Sequence, residues 1–486
     1  MQKFDWKDEN NYSLLADFYE FTMANGYLDS GIAENIAYFD LYFREIPDGA
    51  GFAISSGLEQ AIEYIKRLSF TKEDIEYFKS KEMFSQKFLD YLKNFKFECD
   101  LWAMPEGSII FPNEPILTVR GPVIQAQMME TMLLVTMNFQ SMIATKANRI
   151  VRAADGRKVL EFGSRRAHGY NSAILGARAA YIGGCVGSAN TLTDRLYGVP
   201  ALGTMAHSWI QMFDSEIDAF RAYAKAYPHN CNLLIDTYDV LNEGLPNAIK
   251  IFNEEVLPKG FRPTGVRIDS GDLSYLSKKV RQGLDEAGFE DCPIVLSGGL
   301  DEYTIGSLLK QGAKVDSFGV GERLITSKSD PIFGCVYKLV ATEDENGKIL
   351  PKIKISENII KITTPGFKQV YRFFDKETDA PIADVLMLRD EKFEVKDNYE
   401  IFHPLHTWKR KTLKNYYYKK MLVPIFEKGE LVYDMPSLEE IREYALSNVE
   451  KLWPESKRFE NPHVYFVDYS QKLWDLKNKL LNEHDF

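Results

Sequence analysis

The sequence predicts an α/β fold: an irregular (β/α) barrel, preceded by an N-terminal α+β domain and followed by a C-terminal tail that packs back onto that domain. Between residues 158 and 319, short apolar runs alternate with helical patterns at intervals of about 30 residues, which is the size of a βα unit. Nearly every run is followed at once by polar or glycine residues, as expected where parallel strands end at one rim. We therefore expect three parts, comprising residues 1–150, 151–340 and 341–486.

The first part has the mixed signals of an α+β domain. Helical spacing of apolar residues over 14–23 indicates the first helix, and alternation over 36–44 indicates a half-buried strand. Further helices are predicted near 57–68, 72–80 and 85–95, strands with Pro and Gly turns over 97–120, and a long connecting helix over about 122–150. Methionines in this last helix indicate core packing rather than a cofactor site.

The second part contains six short apolar runs that predict the barrel strands. They cover residues 158–162, 201–205, 232–236, 265–268, 293–296 and 315–319. After about residue 338 this rhythm is lost. Short strand patterns follow at 352–355, 359–362 and 369–373, and residues 437–486 are predicted to be largely helical.

Composition excludes several classes of function. The net charge of −11 argues against nucleic acid as the main partner, because binding to a phosphate backbone normally needs a basic face. Five scattered cysteines without CxxC spacing indicate neither disulfides nor a zinc site. No run of about 18 apolar residues predicts a membrane span, and the N-terminus lacks the apolar core of a signal peptide. A cytoplasmic protein without a membrane partner is expected.

One strand end carries three charged side chains: Arg267, Asp269 and Asp272, in the stretch Val-Arg-Ile-Asp-Ser-Gly-Asp-Leu. A guanidinium pairs with carboxylate or phosphate, and carboxylates accept hydrogen bonds from sugar hydroxyls or bind a divalent metal. The stretch therefore suits a substrate with both negative charge and hydroxyls. The alternative is a helix N-cap combined with a structural ion pair.

Two glycine turns follow the last two predicted strands. The first is Ser297, Gly298 and Gly299, and the second contains Gly319 and Gly321. Bare backbone N–H groups beside a helix N-terminus can bind a phosphate, and a Cβ would hold the anion away. The alternative for each turn is a tight βα connection.

A histidine is predicted at the same rim. His207 comes two residues after the predicted 201–205 strand, and Asp236 ends the next strand, where its carboxylate could fix the tautomer of the ring. Such a histidine can be a general base, a metal ligand or a phosphoryl acceptor, and composition does not choose among these. An isolated histidine is more often a core or capping residue.

Several of these segments together resemble the nicotinate phosphoribosyltransferases, which belong to the type II phosphoribosyltransferases. The similar segments are Glu-Phe-Gly-Ser-Arg-Arg-Ala at 161–167, Gly-Thr-Met-Ala-His-Ser at 203–208, residues 266–273, residues 14–23 and Thr-Thr-Pro-Gly-Phe-Lys-Gln at 363–369. The resemblance implies the irregular barrel, a homodimer with shared active sites, and formation of nicotinate mononucleotide and pyrophosphate from nicotinate and phosphoribosyl pyrophosphate. It also implies that ATP is a co-substrate, hydrolysed through a transient phosphohistidine.

The resemblance also implies roles for individual residues. His207 would be the phosphorylated histidine, and Asp236, Arg267 and Asp269 would complete the catalytic set. Phe162 of the same chain and the partner subunit's Tyr19 would enclose the pyridine ring. The other implied substrate contacts are Arg165, Arg166, Ser188 and Asp272, with Ser297, Gly298, Gly299, Gly319 and Gly321 at the phosphates. The sequence does not settle which of Arg165 and Arg166 points inward.

The chemistry of phosphoribosyl transfer agrees with this set of residue types. Displacing pyrophosphate from a sugar carbon builds positive charge on the sugar and negative charge on the leaving group. Carboxylates near the sugar, and cations with Mg²⁺ near the phosphates, stabilise these charges. Mg²⁺ is expected to be held mainly by the substrate phosphates, with Asp269 as a candidate ligand.

Three alternatives stay open. A nicotinamide phosphoribosyltransferase of the same fold is expected to carry an aspartate near the amide, but Gly187-Ser188-Ala189-Asn190 contains no acid, although Asp194 is close in sequence. An acid there would repel the carboxylate of nicotinate. A quinolinate-using enzyme is the second alternative. A non-catalytic nucleotide-binding barrel is the third, and it predicts losses at the strand ends that the sequence does not have.

Overall fold

The structure is a computed structural model that describes residues 11–483. Within them, the α-helices are α1 (Phe18–Asp29), α2 (Leu58–Arg67), α3 (Lys72–Lys79), α4 (Gln86–Lys93), α5 (Val123–Gln127), α6 (Glu130–Ala153), α7 (Tyr170–Ile182), α8 (Thr191–Tyr197), α9 (His207–Gln211), α10 (Glu216–Ala226), α11 (Leu245–Ile251), α12 (Leu273–Glu286), α13 (Glu302–Lys310), α14 (Glu322–Ile325), α15 (Leu438–Lys451) and α16 (Gln471–Asn482).

The strands of the same residues are numbered in chain order. They are β1 (Ile36–Tyr42), β2 (Ala53–Ile54), β3 (Asp100–Ala103), β4 (Ile109–Ile110), β5 (Leu117–Pro122), β6 (Lys158–Glu161), β7 (Asn232–Leu234), β8 (Gly265–Ile268), β9 (Ile294–Ser297), β10 (Ser317–Val320), β11 (Val336–Glu343), β12 (Ile349–Pro351), β13 (Lys368–Asp375), β14 (Pro381–Leu388), β15 (Asn398–Phe402), β16 (Arg410–Lys414), β17 (Tyr416–Lys420), β18 (Val423–Glu427), β19 (Glu430–Leu431) and β20 (Val467–Tyr469).

The described chain forms two compact units. The first contains the residues up to 142 and those from 332 onward, and the second contains residues 143–331. In the first unit, a seven-stranded sheet has the order β12-β11-β1-β5-β3-β18-β19, and a second sheet has the order β17-β13-β14-β20. Strands from both ends of the chain therefore share one sheet. The three-part division at residues 150 and 340 stays a prediction.

Strand β1 differs from its predicted half-buried state. Phe39 stacks on Tyr337 with ring centroids 4.9 Å apart, and Tyr38 packs on Phe367 at 4.8 Å. Because adjacent residues of a strand point to opposite faces, both faces of β1 are covered. The alternation in the sequence therefore does not mark a solvent-exposed face, and that prediction was wrong.

The 363–369 segment has a structural role in the first unit. Nζ of Lys368 lies 2.9 Å from Oδ2 of Asp40 and donates to the carbonyl oxygens of Thr364 and Gly366, each at 2.7 Å. Lys368 and Asp40 are both almost fully buried. Since a buried charge is tolerated only when it is paired and hydrogen-bonded, this ammonium fixes the turn that leads into β13.

The second unit is built on a parallel sheet of five strands in the order β6-β10-β9-β8-β7. Single parallel bridges extend it beyond β6, from Glu161 to Ser188 and from Ser188 to Ala201. Five of the six predicted strands are therefore present. The strand predicted at 201–205 is wrong, because only Ala201 of that run pairs, and Leu202 is partly exposed.

Other predicted elements differ in detail. The long helix predicted over 122–150 is two helices, α5 and α6, which are separated at Met128 and Met129. Residues 352–355 form no strand, and Ile359–Lys361 is a 3₁₀ turn. Met128 and Met129 are buried, as predicted for methionines that pack in the core. None of the helices described is both long and apolar enough to cross a lipid bilayer.

Candidate active site

Arg267 is the centre of the site at the carboxyl ends of the parallel strands. Its Nε donates to Oγ of Ser297 at 3.0 Å, and one terminal nitrogen donates to Oγ1 of Thr204 at 3.0 Å and to the carbonyl of Met205 at 3.3 Å. The other terminal nitrogen lies 3.2 Å from Oδ1 of Asp269. These contacts come from three segments of the unit and hold the guanidinium in one orientation, so that it can meet an anion without reorganising.

The Asp269 carboxylate is kept ionised by its neighbours. Burial acts to raise its pKa, but the hydrogen bond from Ser297, at 2.5 Å to Oδ1, and the charge of Arg267 outweigh that effect. The pKa of Asp269 is consequently below its ordinary value. A fixed negative charge at this position suits a developing positive charge on a sugar.

Asp236 organises the segment that follows β8. Its Oδ2 accepts from the backbone N–H of Asp269 at 2.8 Å and from the hydroxyl of Ser270 at 2.7 Å. Its Oδ1 is buried and makes no hydrogen bond within the described residues. That oxygen lies 3.9 Å from Nε2 of His207. This separation exceeds hydrogen-bonding distance, so the carboxylate acts on the ring through its charge.

His207 is the first residue of α9, and its side chain is 38% exposed. Its Nδ1 lies 3.1 Å from Oγ1 of Thr237, which is the hydrogen-bond partner of the ring. The sequence predicted that Asp236 fixes the tautomer of the ring, and that role stays a prediction. In the structure, the residue after Asp236 makes the direct contact.

Three of the four glycines in the two turns have close neighbours that explain them. Gly298 has φ +97°, and a Cβ there would lie 2.1 Å from the carbonyl oxygen of Asp269. A Cβ on Gly319 would lie 2.5 Å from the ring of Phe162, and one on Gly321 would lie 3.0 Å from the carbonyl oxygen of Phe162. Tight packing therefore accounts for these glycines, and their contact with phosphate stays a prediction. Gly299 has φ +62° and open space around it.

The N-terminus of α13, next to the first glycine turn, already has an anionic partner. Asp301 accepts from the backbone N–H of Thr304 at 2.8 Å and pairs with Arg323. Burial acts to raise the pKa of Asp301, but the contacts with Thr304 and Arg323 bring it below its ordinary value. A phosphate at this turn would therefore meet the backbone of residues 298–299 rather than the end of α13.

A cavity of about 590 Å³ lies along the parallel sheet and brings two of the predicted site residues, Phe162 and Arg267, together. Phe162, Thr204 and Arg267 line it, with Leu160 and Val295 along its wall. The guanidinium carbon of Arg267 lies 5.9 Å from the ring centroid of Phe162. An aromatic face beside a fixed cation suits a flat ring that carries a carboxylate, and the volume is typical of small-molecule sites.

The arginine pair lies on a 3₁₀ turn, Ser164–Arg166, directly after β6. Arg165 and Arg166 are both exposed, and Nε of Arg166 lies 4.0 Å from Oε2 of Glu322. Neither arginine lines the cavity. The contact of either one with substrate stays a prediction.

Two other predicted substrate contacts have structural partners. One oxygen of Asp272 accepts from the backbone N–H of Tyr275 at 3.0 Å and caps α12, which is the capping alternative considered above. Ser188 is fully buried and donates to Oε2 of Glu161 at 2.6 Å. Burial is also the main reason that the pKa of Glu161 is raised. Substrate contacts by Asp272 and Ser188 stay predictions.

Tyr19 belongs to the first unit, where it lies in the first turn of α1 and is 43% exposed. Its pKa is raised, mainly by partial burial and then by the charge of Glu130. The hydroxyl therefore stays protonated at neutral pH. The apolar ring with a protonated hydroxyl is suited to contact with an aromatic ligand.

No residues are preassembled into a metal site in the part of the chain that is described: no group of three or more His, Cys, Asp or Glu side chains is arranged to hold an ion. Asp269 is the charged carboxylate nearest to Arg267. A magnesium ion here would take further oxygen ligands from water or from substrate phosphates.

Comparison with known proteins identifies the family. The model of the nicotinate phosphoribosyltransferase (NAPRTase) family matches residues 157–377, the model of its N-terminal domain matches residues 14–138, and that of its C-terminal domain matches residues 367–477. The nicotinate phosphoribosyltransferase of Bacillus subtilis is 42% identical over 483 residues, which cover 99% of this chain and 98% of that protein. The chain belongs to the nicotinate phosphoribosyltransferase family.

Further comparisons agree with the assignment to the nicotinate phosphoribosyltransferase family. The nicotinate phosphoribosyltransferase of Dictyostelium discoideum is 36% identical, covering 96% of this chain and 88% of its own length. The crystal structure of human nicotinic acid phosphoribosyltransferase aligns with a TM-score of 0.83 and 29% identity, over 96% of this chain and 100% of that one. The crystal structure of a nicotinate-nucleotide pyrophosphorylase from Pyrococcus furiosus aligns with a TM-score of 0.70 and 26% identity, over 93% of this chain and 99% of that one.

The structure also brings residues into the candidate site that the sequence analysis missed. Thr204 holds Arg267, Thr237 holds His207, and Ser270 is bound to Asp236. The sequence carried one signal for them, since each is a hydroxyl residue beside a predicted site residue or within a family-like segment. Periodicity alone did not show which side chain each would contact.

Proposed function

We propose that this chain transfers the phosphoribosyl group of phosphoribosyl pyrophosphate to nicotinate, forming nicotinate mononucleotide and pyrophosphate. The arrangement of Arg267 and Asp269 beside a cavity that Phe162 lines is the observation that carries the proposal. The near full-length similarity to nicotinate phosphoribosyltransferases supports it.

In the proposed reaction, the ring nitrogen of nicotinate attacks the anomeric carbon of the sugar while the bond to pyrophosphate breaks. The ionised Asp269 stabilises the positive charge that develops on the sugar. Arg267 attracts the carboxylate of nicotinate or a phosphate oxygen, and Phe162 supplies the aromatic face on which the pyridine ring packs. Asp236 keeps the backbone of Asp269 in place through its 2.8 Å hydrogen bond.

We infer that ATP is a co-substrate and that His207 is phosphorylated during its hydrolysis. The ring is partly exposed at the carboxyl ends of the strands, and the carboxylate of Asp236 lies 3.9 Å away. That negative charge favours the cationic ring that forms when a neutral imidazole accepts a phosphoryl group.

Magnesium is proposed to enter with the substrate phosphates. It would supply positive charge against the leaving pyrophosphate, with Asp269 as the candidate protein ligand. The backbone of residues 298–299 is the proposed phosphate contact, and Ser297, Gly319 and Gly321 complete the two turns.

A homodimer with shared sites is also proposed. Helix α1 and the segment just before it expose large apolar side chains: Phe18, Tyr19 and Met23 of the helix, and Leu14 and Leu15 before it, are 37–44% exposed. An apolar face of this kind is typical of a protein interface, and it would let the partner subunit's Tyr19 complete the site.

The bridges to Ser188 and Ala201 support the further proposal that the parallel sheet belongs to an irregular barrel. Five free buried cysteines agree with a cytoplasmic setting.

We expect nicotinate to be preferred over nicotinamide, because residues 187–190 contain no acidic side chain. The carboxylate of Asp194 is already hydrogen-bonded within the chain. Its Oδ2 accepts from the backbone N–H of Ala201 at 3.1 Å. Initial rates with nicotinate, nicotinamide and quinolinate test this preference. The largest kcat/KM is expected for nicotinate, and a larger value for either of the others would overturn the assignment.

A further inference from the structure

The end of β7 presents two consecutive side chains to the His207 ring. Asp236 lies near Nε2, with Oδ1 at 3.9 Å, and Thr237 lies near Nδ1, with Oγ1 at 3.1 Å. Only the second distance is that of a hydrogen bond. Asp269 is a further charged group in the neighbourhood of this ring, because the charge of His207 is one of the smaller contributions to the lowered pKa of Asp269.

The distances favour one tautomer. A proton on Nε2 would face Oδ1 of Asp236, and a hydrogen bond between them would bring the two atoms to about 2.9 Å. They are 3.9 Å apart, and Oδ1 makes no hydrogen bond within the residues described. The contact between Nδ1 and Thr237 accommodates either tautomer, because a hydroxyl can accept or donate. The 3.9 Å separation at Nε2 is therefore what favours the proton on Nδ1, and this tautomer leaves the lone pair of Nε2 free.

We propose that Thr237 is a positioning residue that holds His207 as the Nδ1–H tautomer, with Nε2 as the nucleophile toward ATP. This inference rests on the proposed phosphohistidine. The Nε2 lone pair forms the bond to the γ-phosphorus while the bond from that phosphorus to the bridging oxygen of ADP breaks, and ADP leaves with the electron pair. The Nδ1 proton stays in the hydrogen bond to Thr237.

A hydroxyl is suited to this task because it can reverse its role. Before phosphorylation, Oγ1 of Thr237 accepts from Nδ1–H. If the phosphorylated ring loses that proton to solvent, the same hydroxyl donates to the Nδ1 lone pair. When water later attacks the phosphorus, the N–P electron pair returns to Nε2. Phosphate leaves, and a ring that had lost its Nδ1 proton regains one from solvent.

The test compares Thr237→Val, which keeps the shape without the hydroxyl, with Thr237→Ser, which keeps the hydroxyl. Thr191→Val, at the exposed start of α8, is the matched control. Acid-labile phosphoenzyme is measured from ATP labelled at the γ-phosphate, across pH 5.5–9. Phosphoribosyl transfer is measured separately without ATP.

Thr237→Val is expected to slow phosphoenzyme formation about tenfold and to shift its pH profile, because one hydrogen bond to the ring is lost. Transfer without ATP should stay within about twofold of the unmodified enzyme, and Thr237→Ser should restore phosphorylation. If the valine variant is phosphorylated at the unmodified rate with an unchanged pH profile, Thr237 has no positioning role. An equal loss of phosphoenzyme formation and of phosphoribosyl transfer, together with a lowered melting temperature, would also overturn the positioning role. Thr237 would then have a general structural role.

Failure of the proposed function has a different signature. If the unmodified enzyme forms nicotinate mononucleotide but no acid-labile phosphoenzyme, then the phosphohistidine is wrong and this inference falls with it. If Thr237→Val does not fold, Thr237→Ala replaces it under the same criteria.

Discussion

Gly319 leaves the space that the ring of Phe162 occupies: a methyl group at residue 319 would lie 2.5 Å from the nearest ring carbon. The glycine is therefore required by the neighbouring aromatic side chain. Any side chain at 319 must displace the ring that we propose to pack on the pyridine. This contact links one of the glycine turns to the cavity.

Gly319→Ala is expected to raise KM for nicotinate about tenfold or more, because the displaced Phe162 ring no longer meets the pyridine face. Gly306→Ala is the matched control, since Gly306 lies in α13 with open space around its Cα. Steady-state kinetics with varied nicotinate measure both. An unchanged KM in Gly319→Ala would argue against the role of Phe162.

Arg267→Lys is expected to lower kcat/KM at least about 100-fold, although the positive charge is kept. Lysine cannot reproduce the separate contacts that Arg267 makes with Ser297, Asp269 and Thr204, and those groups would lose their donors. The measurement is kcat/KM for nicotinate and for phosphoribosyl pyrophosphate. Arg262→Lys is the control, because its pair with Asp291 is exposed. Unchanged kinetics in Arg267→Lys would contradict a site role.

His207→Ala is expected to abolish stimulation by ATP and to leave residual phosphoribosyl transfer. The reason is that the proposed base and sugar contacts come from other residues, including Phe162 and Asp269. ATP hydrolysis and product formation are measured in parallel, and His229→Ala, on an exposed turn, is the control. Full ATP coupling in His207→Ala would rule out the phosphohistidine.

Glu20 predicts a pH-dependent stability of the first unit. It is fully buried on α1, and its pKa is raised from 4.5 to about 7, mainly by burial, although hydrogen bonds from Thr131 act in the opposite direction. An unfolded chain ionises this group near pH 4.5, whereas the folded chain resists ionisation until about pH 7. Ionisation therefore opposes folding, and this cost grows between these two pH values and is complete above the higher one.

Glu20→Gln should consequently stabilise the protein by about 1–2 kcal/mol at pH 8 and have little effect at pH 5. Urea unfolding at the two pH values measures the difference. Glu63→Gln, which removes an exposed partner of Lys66, should change stability by less than about 0.5 kcal/mol at both. Equal effects of Glu20→Gln at pH 5 and pH 8 would show that the charge of Glu20 does not determine its contribution.

Much of the second unit was predictable because its strands are short apolar runs that end in polar residues. The runs at β8 and β9 correspond closely to the observed strands, and Arg267, Asp269 and Ser297 are in contact as their shared strand ends implied. The strand predicted at 201–205 is absent, because only Ala201 of that run forms a β-bridge. Its partner, Ser188, lies in a polar segment that gives no strand signal.

The side-chain partners were less predictable than the strands. Asp236 and Thr237 are consecutive, and the sequence favoured the carboxylate as the partner of His207, whereas the hydroxyl lies closer. The sequence predicted phosphate contacts for the glycine turns, with tight βα connections as the alternative. The close approach of Asp269 to Gly298 and of Phe162 to Gly319 agrees with that alternative, and the phosphate contacts stay predictions. Such choices depend on differences of about 1 Å in position, which residue type and spacing do not determine.

The central claim is tested most directly by a product assay with nicotinate, phosphoribosyl pyrophosphate and Mg²⁺, run with and without ATP. We expect nicotinate mononucleotide and pyrophosphate in equal amounts, formed faster or to a greater extent when ATP is present and hydrolysed. Absence of nicotinate mononucleotide under both conditions, with the protein folded, would contradict the account.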